Sequence, residues 1–191
     1  MKKIYLILSL FATILFCSFI LGDDFFDVQL NDLGNKKVLF QDLKTNKATV
    51  VVFLLSDCPA SQSYTLTLNK LFQKYSSKNI SFIGIFPGKY STDNELISFR
   101  DQYKILFPLF KDPDLILGRM LKAAIAPGCF LVDKTGSIVY EGRIDDWLYA
   151  IGKKKPGITQ KNLEDAIVSV INNVPVKIKK TEAIGCILEY E

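Results

Sequence analysis

The chain has 191 residues, 49% hydrophobic and 23% charged, a balance that excludes a disordered or collagen-like protein and makes one folded domain the expectation. A chain of this length buries enough apolar surface to fold without a metal or disulfide staple, so its cysteine chemistry reads as functional. The net charge of +4, reduced to +2 when Lys2 and Lys3 are set aside, is too small and too scattered for nucleic-acid binding. Neither the run Lys153 to Lys155 nor the stretch Lys177, Lys179, Lys180 is interleaved with aromatic residues that would stack on bases.

Histidine is absent from the sequence, which removes imidazole metal ligands, haem-ligating histidines, Ser-His-Asp triads and Cys-His dyads together. The four cysteines, Cys17, Cys58, Cys129 and Cys186, are far apart and form no C-x-x-C pair. No metal site and no cofactor is therefore expected.

The N-terminus has the layout of an export signal. Met1-Lys2-Lys3 is basic, Ile4 to Leu21 is almost unbroken apolar sequence, and polar residues begin at Gly22-Asp23-Asp24. A cleaved signal over residues 1–22 is the expectation, with an uncleaved membrane anchor as the rival, since the apolar run reaches a spanning length. Cys17 suits lipid attachment poorly because bulky Phe16 precedes it. The exported chain then carries Cys58, Cys129 and Cys186 in a periplasmic or other extracytoplasmic space where disulfides persist, with at least one thiol left free.

Beyond the leader, Phe25 to Leu30 and Lys37 to Leu39 flank turn residues from Asn31 to Asn35, which predicts an N-terminal hairpin. Thr49 to Leu55 is a continuous β-branched and apolar run, the pattern of a strand buried on both faces. After Cys58 the period becomes helical, with Tyr64, Leu68, Leu71, Phe72 and Tyr75 on one stripe. Ile80 to Phe86 reads as a second buried strand, and Thr92 with Glu95 as a capping box opening a helix through Tyr103. Leu106 to Phe110 reads as a short strand and Pro113 to Ala124 as a helix. A hairpin of Cys129 to Val132 and Ile138 to Tyr140 turns about Asp133 to Gly136. A last helix starting at Thr159 buries Leu163, Ala166, Ile167, Val170 and Ile171, and an irregular tail ends near Cys186. The alternation βαβα defines an α/β protein.

Three places carry chemistry. Cys58-Pro59-Ala60-Ser61 joins a buried strand to a helix, with Pro59 in the first turn; the helix amides and dipole favour a thiolate at Cys58, which predicts a lowered thiol pKa. The bland alternative is a buried inert cysteine. Ile125-Ala126-Pro127-Gly128-Cys129 places a proline before a short strand, where a cis bond would expose Ala126 backbone groups to an extended partner; an ordinary turn proline is the alternative. Cys186 in Ala183-Ile184-Gly185-Cys186 sits on a tail long enough to reach another part of the surface, as a resolving thiol or as an idle one. Cys129 opens an apolar strand and reads first as a small hydrophobe. Arg143, in the cluster from Tyr140 to Asp146, either supplies positive potential near the thiolate or lies in a solvated loop.

Taken together, Cys58-Pro59-x-Ser61 after a strand, Ala126-Pro127-x-x-Phe130-Leu131-Val132-Asp133-x-x-Gly136, and Tyr140-x-Gly142-Arg143-Ile144-Asp145-Asp146 resemble the thioredoxin superfamily. More narrowly they resemble exported peroxiredoxin-like redoxin-domain proteins of the alkyl hydroperoxide reductase/thiol-specific antioxidant type. The likeness runs from about Phe26 to Ile184-Gly185-Cys186-Ile187. It implies a thioredoxin-like fold with a central mixed sheet flanked by helices, spanning residues 23–175, and a tail of residues 176–191. It also implies Cys58 as the reactive thiol, Pro127 as a cis-proline opposite it, and Cys186 as a candidate resolving cysteine.

Two departures stand out. Ser61 replaces the second cysteine of a C-x-x-C pair, so Cys58 needs another partner, Cys186 or Cys129. Leu55 and Val51 stand where peroxiredoxins place a hydroxyl residue and a proline to orient peroxide. The leading expectation is thiol-disulfide exchange with a protein or small-molecule disulfide and a thiol electron donor. The alternatives are a thiol peroxidase acting on peroxide and a non-catalytic thioredoxin-like binding module. Nucleic acid is not an expected partner, and a membrane only through a retained N-terminal segment.

Overall fold

A seven-stranded mixed sheet runs through the centre of the domain, as a computed structural model of residues 24–190 describes it. The export-signal and lipid-attachment expectations for residues 1–22 fall outside the described residues. Strands β1 (Gln29–Asp32), β2 (Lys37–Leu39), β3 (Ala48–Phe53), β4 (Ile80–Pro87), β5 (Leu109–Asp112), β7 (Gly128–Asp133) and β8 (Ile138–Gly142) lie in the order β2-β1-β5-β4-β3-β7-β8. The pairs β3–β4 and β4–β5 are parallel and the others antiparallel. Helices α1 (Pro59–Tyr75), α2 (Asp93–Gln102), α3 (Ile116–Leu121) and α4 (Asn162–Ile171) cover the sheet.

The unbroken apolar run in β3 follows from its central place. Successive side chains of a strand point to opposite faces. Val50 and Val52 join one core cluster with Leu68 of α1, Leu96 of α2 and Leu163 of α4. Val51 and Phe53 join a second cluster with Phe40, Leu117 of α3 and Phe130. Each fully buried side chain of this kind contributes about 1.5–3 kcal/mol.

The N-terminal hairpin forms, with Leu30 opposite Val38, but its first strand is shorter than the sequence predicts. Phe25–Asp27 is a 3-10 turn held by the Asp24 carboxylate, which accepts from the Phe26 amide at 3.1 Å. The capping box at Thr92 and Glu95 is present and opens α2. Three boundaries move. The expected strand Leu106 to Phe110 becomes β5 from Leu109, and the Pro108 carbonyl takes the Gly84 amide at 2.9 Å while its own nitrogen has no proton to donate. The expected helix Pro113 to Ala124 contracts to α3, because Leu115 and Lys122 on either side adopt left-handed backbone. Asp112 caps α3 from below, accepting from the Ile116 and Gly118 amides at 2.7 and 2.9 Å. Thr159 does not open the last helix: its amide and hydroxyl donate to the buried Asp146 carboxylate, and α4 begins at Asn162.

The segment after α4 is not wholly irregular. The Glu141 amide donates to the Lys179 carbonyl at 2.9 Å and the Thr181 amide to the Glu141 carbonyl at 3.0 Å, laying the segment along the edge of β8. Short strands β9 (Leu148–Ala150) and β10 (Lys153–Lys154) pair antiparallel with each other, and farther on β11 (Cys186–Ile187) pairs antiparallel with β6 (Ile125–Ala126).

Candidate redox site

Cys58 is the N-cap of α1, directly after the strand that crosses the middle of the sheet. The loop between them is fastened by the first turn of the helix. Ser61, fully buried, accepts from the Leu55 amide at 3.2 Å, and Gln62 donates to the Ser56 carbonyl at 2.9 Å. At position 61, where a C-x-x-C protein has its second sulfur, this chain therefore has a hydroxyl that satisfies a backbone amide. Pro59 occupies the first turn, where its missing N–H costs no helical bond.

The sulfur of Cys58 is bonded to that of Cys186, 128 residues away, with Cα atoms 6.1 Å apart. Cys58 is only 2% exposed. Its Sγ lies 3.3 Å from the carbonyl oxygen of Ala126, the residue before the cis bond to Pro127. The same Ala126 faces Cys186 in the β6–β11 pair, so the tail runs along the cis-proline loop as a short strand. A cleft of about 270 Å³ opens on the disulfide between Leu55, Asp57 and Tyr90.

Sequence reasoning passed over the contacts that hold the tail. The Leu188 amide donates to the Ala124 carbonyl at 2.9 Å, and the Tyr190 hydroxyl donates to the Ala123 carbonyl. Arg119 stacks over the Tyr190 ring at 5.7 Å, while the Tyr90 hydroxyl donates to the Glu189 carbonyl at 3.1 Å. A signal was available: Cys186, Leu188 and Tyr190 alternate with Ile187 and Glu189, the two-residue period of a strand.

Cys129 remains a thiol and is completely buried in β7, where its Sγ–H donates to the Gly142 carbonyl at 3.2 Å. Burial, and after it the charge of Asp145, pushes its pKa up. Arg143 makes its side-chain hydrogen bonds at the start of α4. Its Nε donates to Asn162 at 2.8 Å and its Nη2 to Gln160 at 2.5 Å, at the start of α4, and none of its hydrogen bonds reaches either bonded sulfur. Among the described residues no group of three His, Cys, Asp or Glu side chains is placed to hold a metal ion.

A mixed sheet with helices on both faces, a cysteine at the N-terminus of the helix after the central strand and a cis-proline loop beside it define a thioredoxin-like protein. Residues 21–141 match the AhpC/TSA family, and the chain belongs to that family. It is 28% identical over 110 residues to the thiol-disulfide oxidoreductase ResA of Bacillus thuringiensis (strain Al Hakam), and equally to that of Bacillus anthracis. The aligned part is 58% of this chain, and the chain spans 62% of the length of these relatives. Its fold is similar to that of a hypothetical protein of Sinorhizobium meliloti 1021, with a TM-score of 0.79 and 24% identity over 91% of this chain and 96% of that one. A secreted Mycobacterium tuberculosis disulfide oxidoreductase shares the fold at a TM-score of 0.55 and 14% identity, over 78% of this chain and 97% of that one.

Proposed function

We propose that the chain is an exported thiol-disulfide oxidoreductase in which Cys58 attacks and Cys186 resolves. The observation that carries this is the Cys58–Cys186 bond at the N-terminus of α1, beside the Ala126 backbone. In the reduced protein the free amides of the first helical turn favour the Cys58 thiolate, the nucleophilic form. That thiolate attacks one sulfur of a partner disulfide, the partner's second sulfur leaves as a thiolate, and a Cys58–partner bond remains. The Cys186 thiolate then attacks Cys58 Sγ, releases the partner's first sulfur and restores the Cys58–Cys186 bond. Two electrons have passed from the protein to the partner, and an external dithiol returns them by the reverse exchange.

The relatives that carry the thiol-disulfide oxidoreductase name support this chemistry, and the basic and apolar leader supports export. A peroxidase reading has less support, because Leu55 presents an aliphatic side chain at the position where a hydroxyl would orient peroxide. With the reduction of a disulfide substrate as readout, Cys58→Ser abolishes turnover, whereas Cys186→Ser accumulates a mixed disulfide on Cys58. Turnover that survives Cys58→Ser overturns the assignment.

A further inference from the structure

The cleft over the disulfide is acidic. Asp57 and Glu189 both line it and both are exposed, and among the described residues no lysine or arginine contributes to its wall. Backbone contacts hold each carboxylate in place. The Cys58 amide donates to the Leu55 carbonyl at 3.2 Å, which puts Ser56 and Asp57 at the tip of a turn directly before the reactive sulfur. The Glu189 carbonyl accepts from the Tyr90 hydroxyl at 3.1 Å, and the residues on either side of it are bonded to Ala124 and Ala123. None of these anchors involves sulfur, so both carboxylates stay at the rim when the Cys58–Cys186 bond opens.

Among the described residues neither carboxylate is in an ion pair. Basic groups of the neighbouring elements are engaged elsewhere. Lys89 faces Asp114 at 3.4 Å, and Arg119 donates to the Tyr190 carbonyl at 3.3 Å. Lys154 meets α1 at the Ser63 hydroxyl, with its ammonium over the Trp147 ring. Thiol-disulfide exchange keeps a negative charge on the reacting sulfurs, from the attacking thiolate to the leaving one. Apart from the first amides of α1, the positive charge that offsets it beside two carboxylates has to arrive with the partner. We propose that Asp57 and Glu189 are specificity-determining residues that favour cationic disulfides and thiols, in proteins cysteines flanked by lysine or arginine, and disfavour anionic ones. This rests on the thiol-disulfide reading above and adds the class of partner to it.

The test uses the reduced full chain with three small symmetric disulfides: cystamine with its two ammonium groups, the neutral disulfide of mercaptoethanol, and dithiodipropionate with its two carboxylates. The Cys58 thiolate attacks one sulfur of the reagent, the reagent's S–S bond breaks, and half of it leaves as a thiolate. The Cys186 thiolate then attacks Cys58 Sγ and releases the other half, so two electrons pass from the protein to the reagent. Samples are quenched with acid at timed intervals, and the Cys58–Cys186 bond is quantified by peptide mass spectrometry. Each rate is divided by that of the same reagent with free mercaptoethanol, which removes differences in intrinsic reactivity. At about 10 mM salt cystamine is expected to react on the order of tenfold faster than dithiodipropionate, with the neutral reagent between them. Asp57→Asn combined with Glu189→Gln brings that ratio to about one, and so does salt of about 1 M, where screening shortens to about 3 Å. A ratio near one in the wild type at low salt, or a ratio unchanged in the double variant, overturns the charge selection, while oxidation by the neutral reagent leaves thiol-disulfide exchange standing. No oxidation by any of the three overturns both.

Discussion

Replacing Cys58 and Cys186 together by serine removes a cross-link between residues 128 apart in sequence. In the folded protein the tail keeps its other anchors, at Ala124 through Leu188, at Ala123 through Tyr190 and at Tyr90 through Glu189. The bond therefore acts mainly on the unfolded chain, whose freedom it restricts. For a loop of this size the chain-entropy relation gives about 5 kcal/mol. A serine hydroxyl at position 58 has the Ala126 carbonyl within reach, so it adds little penalty of its own. For a domain of this size each kcal/mol moves the midpoint by about 2–4 °C, so the double variant is expected to melt roughly 10–20 °C below the oxidised protein. The assay is thermal denaturation followed by circular dichroism, with the Cys58–Cys186 bond of the wild type confirmed by non-reducing peptide mapping. A double variant melting within about 3 °C of a wild type whose bond has been confirmed would refute the loop-closure argument.

Cys129 is fully buried with a raised pKa, so it stays a neutral thiol where an ordinary cysteine, at about 8.5, has begun to ionise. Alkylation of the reduced native protein near that pH is expected to label Cys58 and Cys186 but not Cys129, and labelling of Cys129 before unfolding would contradict the placement. The Lys155 ammonium, then Thr159 and the Gln160 amide, hold the Asp146 carboxyl below the usual carboxylate range. A lowered pKa gives stability that is present above the unfolded value of about 3.9 and lost as pH falls through the folded one, so Asp146→Asn should flatten the acid limb of a urea-midpoint profile. An unchanged slope in that variant assigns the acid sensitivity elsewhere. Ser61→Ala leaves the Leu55 amide without its acceptor, and the urea midpoint should fall by an amount equivalent to about 1–3 kcal/mol at unchanged m-value. A midpoint equal to wild type would show that water takes over the bond.

Much of the local architecture was written in neighbouring residues. The β-branched run of β3, the 3.6-residue stripe of α1, the Thr92–Glu95 box and the turn at Asp133 to Gly136 each depend on contacts within a few positions, so periodicity and turn chemistry disclose them. The same locality placed Cys58 between a strand and a helix and Pro127 before a strand. Boundaries decided by distant partners were misread. Thr159 is drawn out of α4 by Asp146, and β5 starts where Pro108 first offers a carbonyl to β4; α3 is instead shortened by near neighbours, the Asp112 carboxylate and two residues in left-handed backbone.

The choice between Cys186 and Cys129 as the partner of Cys58 belonged to the tertiary structure alone. Cys129 is held in the sheet by β3 and β8 with its thiol committed to Gly142. Cys186 reaches Cys58 only because the tail is first laid along Glu141 and then against Ala126, where Gly185 lets two backbones meet. Pairing across 128 residues is favourable only after those separate contacts have ordered the intervening chain. No short stretch of sequence encodes that collective condition, whereas the thiol, the helix that begins at it and the strand before it are each encoded locally.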